Sequence, residues 1–180
     1  MAINLKKGQR IDVSLTNIAV GLGWKGDSDL DASAFMLNAD GQIPAEEFFV
    51  FYNNLESKDF AVRHSGDDKA GGTGDVETIK VDINKLDPRI EQIVFTVSIH
   101  DSVSTGENFG QVRNSFIRIY NVDSNEELLK YELDEDFSVE TALDFGRLYK
   151  RNNAWRFEAI GIAGTGGLES FVTKYAKSFF

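Results

Sequence analysis

The stretch Gly21–Ser33, "GLGWKGDSDLDAS", can be read in two ways that lead to different folds. Gly21, Gly23 and Gly26 spell G-x-G-x-x-G, the tight turn between strand and helix in dinucleotide-binding α/β proteins. Asp27, Asp29 and Asp31 spell D-x-D-x-D, an acidic run suited to a cation. The first reading needs a helix whose N-terminal amides face a phosphate. Gly26 instead leads into three acids in five residues, whose charge would repel a pyrophosphate. "DLDASAFML" reads better as a strand, with Leu30, Ala32 and Ala34 toward a core and Asp29 and Asp31 on the other side, their Cα atoms ~6.6 Å apart. An EF-hand loop counted from Asp27 also fails. Its sixth position is Ala32, where glycine is needed, and its twelfth is Asn38, where a bidentate glutamate is needed.

Working outward from this strand, the rest of the chain carries the same signal. "RIDVSLTNIAV" places Ile11, Val13 and Leu15 on one face of a strand. "EEFFVFY", "ETIKVDI", "IEQIVFTVSI", "NSFIRIY", "LLKYEL", "FGRLYKR" and "WRFEAIGIA" are rich in β-branched and aromatic residues and are separated by Gly, Asn, Asp or Pro. The expected fold is mainly β: a β-sandwich of two packed sheets, with a helical turn at "INKLDP" and a C-terminal amphipathic helix. That helix comes after "GTGG", where Leu168, Phe171, Val172, Tyr175 and Phe179 form one apolar stripe.

The chain has 180 residues, 42% of them hydrophobic, enough for one core and hence a single domain over residues 1–180. There is no Cys, which excludes disulfides, thiolate zinc sites and a cysteine nucleophile. No stretch reaches the ~18 uninterrupted apolar residues of a membrane-spanning helix, and "MAINLKKGQR" lacks the apolar run of a signal peptide. The expected location is the cytoplasm. A net charge of −10 gives a field that repels nucleic acid, so no nucleic-acid partner is expected.

Two carboxylates do not make a calcium site, which takes six to eight oxygens. The segment "HSGDDKAGGTGDVE" can supply more: Asp67, Asp68, Asp75 and Glu77 carry carboxylates, and its glycines let the backbone curl so that carbonyls turn inward. The alternative is a solvated hairpin in which Asp and Gly merely make turns. His64 and His100 are the only histidines, too few for a histidine-rich transition-metal site, and structural roles are expected for them.

Taken in order, "DSDLDAS", "FVFYNN", "HSGDDKAGGTGDVE", "NFGQVRNSFIRIYN", "ALDFGRLYKRNNAWRFEAIG" and "GGLESF" resemble the TerD family of bacterial tellurite-resistance and general stress proteins, over almost the whole chain. The resemblance implies a calcium-binding β-sandwich with no established enzymatic activity. It also implies a cytoplasmic stress response in which membrane and soluble tellurite-resistance proteins are partners, so that the chain is peripheral to the inner membrane through a partner. By position it implies that Asp29, Asp31, Asp67, Asp68, Asp75 and Glu77, with Asp27 at the head of the acidic run, hold two calcium ions. Two other classes compete with a non-catalytic calcium module. One is a calcium-dependent lipid or glycan binder, which exposed Trp24 or Phe60 at the loop tips would favour. The other is a metal-dependent phosphoesterase, which would require two ions ~3.5–4 Å apart and a general base.

Overall fold

The computed structural model describes residues 2–25, 30–66, 75–100, 102–133 and 137–180. Asp27, Asp29, Asp67 and Asp68 lie outside the described residues. The strands are β1 (Ile3–Leu5), β2 (Arg10–Asp12), β3 (Asn17–Lys25), β4 (Leu30–Leu37), β5 (Phe49–Val50), β6 (Val62–His64), β7 (Glu77–Asp82), β8 (Gln92–Ile99), β9 (Arg113–Asn121), β10 (Glu127–Glu132), β11 (Ala142–Arg151) and β12 (Ala154–Gly164). The helices are a short α1 (Ser102–Thr105) and α2 (Gly167–Tyr175), with 3₁₀ turns such as Ile83–Lys85. The strands form two six-stranded sheets, ordered β1-β10-β9-β3-β7-β6 and β2-β12-β11-β8-β4-β5.

Period-two alternation explains how the sheets face each other. Ile18, Val20 and Leu22 of β3, Ile79 and Val81 of β7, and Ile117 and Ile119 of β9 are wholly buried on the inner face of the first sheet. Against them the second sheet sets Ala32, Ala34 and Met36 of β4, which pair in register with Val97, Phe95 and Ile93 of β8. Tyr131 of the first sheet meets Phe145 of the second edge-to-face at 5.8 Å. The outer face of β4 is covered too: Phe35 contacts Phe171 and Tyr175 of α2, with centroids 6.3 and 5.3 Å apart.

β3 continues through Gly21 and Gly23 to Lys25, and the next described element is the strand β4. Among the described residues a strand stands on each side of the G-x-G-x-x-G stretch, and no helix follows it to make a phosphate turn.

Three local expectations are corrected. The run Arg10–Val20 is not one strand: β2 pairs with β12 in the second sheet, and β3 pairs with β7 and β9 in the first. The Val13 N–H bonds to the Trp155 carbonyl at 2.9 Å, and the chain then crosses between sheets. Both sheets bury the same alternation from opposite sides, so local pattern cannot reveal the crossing. "EEFFVFY" yields only the two-residue β5, because its first residues form a 3₁₀ turn over Glu46–Phe48 that leads straight into the strand. Helix α2 stops at Tyr175, where Ile43 N–H and Gln42 Nε2 bond to the carbonyls of Tyr175 and Lys174 at 2.9 and 2.8 Å. Phe179 therefore falls outside the helical stripe and is 36% exposed.

Candidate metal centre

Strand direction gathers the acidic stretches. Leu22 of β3 pairs with Glu77 of β7, and Glu132 of β10 with Phe116 of β9. In the second sheet Leu30 of β4 pairs with Ile99 of β8, and Ser98 with Ala142 of β11. The end of β3, start of β4, end of β6 and start of β7 therefore lie at one end of the sandwich. The connections that carry Asp27, Asp29, Asp67 and Asp68 begin and finish there, beside Asp31 and Glu77. Hydrogen bonding across an antiparallel ladder requires this closeness, although the stretches are some forty residues apart in sequence.

Glu77 is the best-defined acid of the set. It is 5% exposed, and its Oε2 accepts the Ala32 N–H at 2.8 Å. His64 Nε2 lies 2.9 Å from the Ala32 carbonyl and 3.2 Å from Glu77 Oε2. His64 Nδ1 accepts the Gly66 N–H at 2.9 Å, which leaves Nε2–H as the donor toward Ala32 and Glu77. β5 pairs with β4 only at Ala34 and Phe35, so at Ala32 these two side chains from the first sheet take the place of a neighbouring strand. They clamp the sheets together at the acidic end, and the Gly66 contact fixes the start of the acidic loop.

The electrostatics of this clamp are set first by burial. Burial pushes the Glu77 carboxyl above its ordinary value, the His64 and Ala32 contacts offset part of that, and the charge of Asp31 adds to it. For His64, burial works against the imidazolium, but Glu77 and the Ala32 carbonyl outweigh it and raise the pKa. Asp31 Oδ2 lies 2.9 Å from His100 Nδ1.

Asp75 has a different setting. Its two oxygens receive Arg118 Nε at 2.9 and 3.1 Å and Nη2 at 2.6 Å, and that guanidinium also lies 4.5 Å from the Tyr120 ring centroid. The carboxylate lies across Gly21, where a Cβ would sit 2.6 Å from Asp75 Cγ. The first glycine of "GLGWKG" makes room for an ion pair. Among the described residues, no group of three His, Asp or Glu side chains is placed to hold a metal ion.

The TerD domain family matches residues 1–175. The chain belongs to the TerD family. It is 45% identical over 188 residues to general stress protein 16U of Bacillus subtilis, with 97% of each chain covered. It is 43% identical over 187 residues to the tellurium resistance protein TerD of an Alcaligenes species, again with 97% of each covered. Its fold matches the crystal structure of a homologue of a telluride resistance protein from Streptomyces coelicolor, with a TM-score of 0.71 over 88% of this chain and 95% of that one, at 21% identity. The β-sandwich expected from alternation is thus the architecture of this TerD chain and of that solved homologue.

Sequence reasoning missed Arg118, whose partner lies 43 positions away. It also missed Asp144, buried under α2. The only signal for Asp144 was a carboxylate between two apolar residues in "ALDFG".

Proposed function

We propose that this TerD-family chain is a non-catalytic calcium-binding stress-response protein of the tellurium-resistance type, acting in the cytoplasm. In this reading calcium draws together the acidic segments at one end of the sandwich and so sets the surface that a partner protein, including a membrane-bound one, recognises. The observation that carries it is the convergence at that end of the connections bearing Asp27, Asp29, Asp67 and Asp68, next to Asp31 and a buried Glu77. Such a gathering of carboxylates is self-repelling until a cation compensates it. Names of relatives support the stress and tellurium context.

The ligand set is divided. Asp27, Asp29, Asp31, Asp67 and Asp68 hold the ions, two of them. Asp75, tied to Arg118, and Glu77, tied to Ala32, position the strand that receives the acidic loop. The lipid or glycan alternative loses ground on placement: Phe60 is 60% exposed but precedes β6, at the opposite end of the sandwich, and Trp24 is partly buried against the core.

Calcium titration with detection by calorimetry and by backbone NMR tests this reading. The expected result is saturable binding of two ions, preferred over magnesium, with resonances of Asp29, Asp31 and Asp68 among those that move. Magnesium binding as tight as calcium, or no saturable binding, would sink it. Liposome pelleting that depends on calcium would instead favour the lipid alternative.

A further inference from the structure

Ser33, Thr96 and Asp144 stand opposite one another on β4, β8 and β11, through the register pairs Ser33 with Thr96 and Thr96 with Asp144. Directly opposed residues have Cβ atoms ~4.5–5.5 Å apart on one face of the sheet. This is the outer face beneath α2, because Tyr175 of that helix donates its hydroxyl to Asp144 Oδ2 at 2.8 Å. The bulge at Phe145, where the register slips between Asp144 and Gly146 in both pairings, lets Phe145 face the inner core while Asp144 keeps the outer face.

Ser33 and Thr96 are wholly buried and Asp144 is 6% exposed. Among the described residues, Ser33 Oγ, Thr96 Oγ1 and Asp144 Oδ1 have no hydrogen-bond partner. Asp144 Oδ2 has Tyr175, with Lys174 Nζ more distant at 3.9 Å. Buried polar atoms are almost always satisfied, because a stranded one loses its hydrogen bonds to water with nothing in return. Three in one row between a sheet and a helix mark a place for a polar guest. A metal ion does not fit the donor set: one carboxylate and two hydroxyls fall short of six oxygens, and ligating hydroxyls would leave their hydrogens without acceptors. A water molecule fits, since it donates to the carboxylate and accepts from a hydroxyl.

The geometry points to an internal hydration site beneath α2, in which ordered water bridges Asp144 Oδ1 to the hydroxyls of Thr96 and Ser33 and so helps seat the helix that Tyr175 anchors. The site shares no residue with the acids proposed to hold a cation.

The near-isosteric Thr96→Val substitution reads the sign. If water bridges the hydroxyl, removing it strands a partner and the melting temperature falls by roughly 2–4 °C. If the hydroxyl is merely stranded, replacing it with a methyl group relieves the burial cost and the melting temperature rises. In the wild-type protein, NMR cross-relaxation should show long-lived water contacts at Thr96 and Ser33, a measurement that stands even if the variant does not fold. A rise in melting temperature, or no long-lived water at these residues, overturns the proposal.

Discussion

The two ends of the sandwich use the same residue types in opposite ways. At the end away from the acidic loop, Asp59 Oδ1 accepts the Ser57 hydroxyl at 2.6 Å and the Ala61 N–H at 3.0 Å, while Oδ2 accepts the Asp87 N–H at 2.7 Å. Asp87 in turn accepts the Arg89 amide and guanidinium, which hold its carboxyl below the ordinary range. At the acidic end Glu77 has one backbone amide and His64, with Asp31 nearby, and burial holds its carboxyl above the ordinary range. A carboxylate ringed by N–H donors is a finished turn. A buried carboxylate with a second carboxylate beside it is incomplete electrostatically, and that difference separates a finished turn from the acid that positions the strand next to the proposed cation ligands.

The largest expected effect breaks the clamp. Glu77→Ala leaves the Ala32 N–H buried without its acceptor and takes the carboxylate away from His64, which keeps the Ala32 carbonyl, and should cost about 3 kcal/mol, read by denaturant unfolding. A loss below about 1 kcal/mol would show that the clamp is not what joins the sheets at this end.

Calcium should sharpen the contrast between the ends. A ligand that binds only the folded chain at a hundredfold excess over Kd stabilises it by about 2.7 kcal/mol, roughly 2–4 °C of melting temperature per kcal/mol for a chain of this size. The triple variant Asp29→Asn, Asp31→Asn, Asp68→Asn should lose this response. Asp59→Asn should lower stability yet keep the whole response, and Glu126→Gln should leave it unchanged. An equal calcium shift in the triple variant would make the two ends alike.

Next in size is the Asp75 and Arg118 pair. Gly21→Ala drives a methyl group into the Asp75 carboxylate and should cost about 1–3 kcal/mol. Combined with Asp75→Ala, which clears that space, most of the Gly21→Ala penalty should vanish in a double-mutant cycle. Additive losses would mean that the glycine serves some other contact.

The smallest effect is the pH dependence of the calcium-free chain. A raised folded pKa means that the folded state binds the proton more tightly. The contribution of Glu77 is thus present in mild acid and lost as pH rises from the ordinary carboxylate range through its folded pKa. His64, also raised, acts in the same direction. Asp87, held low, contributes above the ordinary range and loses that contribution as pH falls through its folded pKa. Melting temperatures measured against pH should show Glu77→Gln removing the fall that begins in the ordinary carboxylate range and Asp87→Asn removing the loss seen as pH drops below it. The reverse assignment would contradict the comparison of the two ends.

Much of the fold is legible in the residues alone. β4, β7, β8, β9, β10, β11 and β12 all coincide with runs marked by alternation or β-branched content, and α2 with a helical stripe. Alternation is legible because each strand must bury one face whatever its partners are. The acidic stretches could be named, but not the fates of their members. Asp75 and Glu77 stand two residues apart, yet one is neutralised by an arginine on β9 and the other is buried against a backbone amide on β4.

By itself, then, the sequence determined the strand periodicity, the absence of cysteine chemistry and the presence of an excess of acids, all properties of single residues or of near neighbours. Which sheet each strand joined, which acids met at one end, and which of them found a guanidinium or an amide were decided only in three dimensions. The reason is physical: the character of a carboxylate depends on donors and charges within a few ångströms, and here those neighbours come from strands tens of residues away, brought close by pairing that no local pattern encodes.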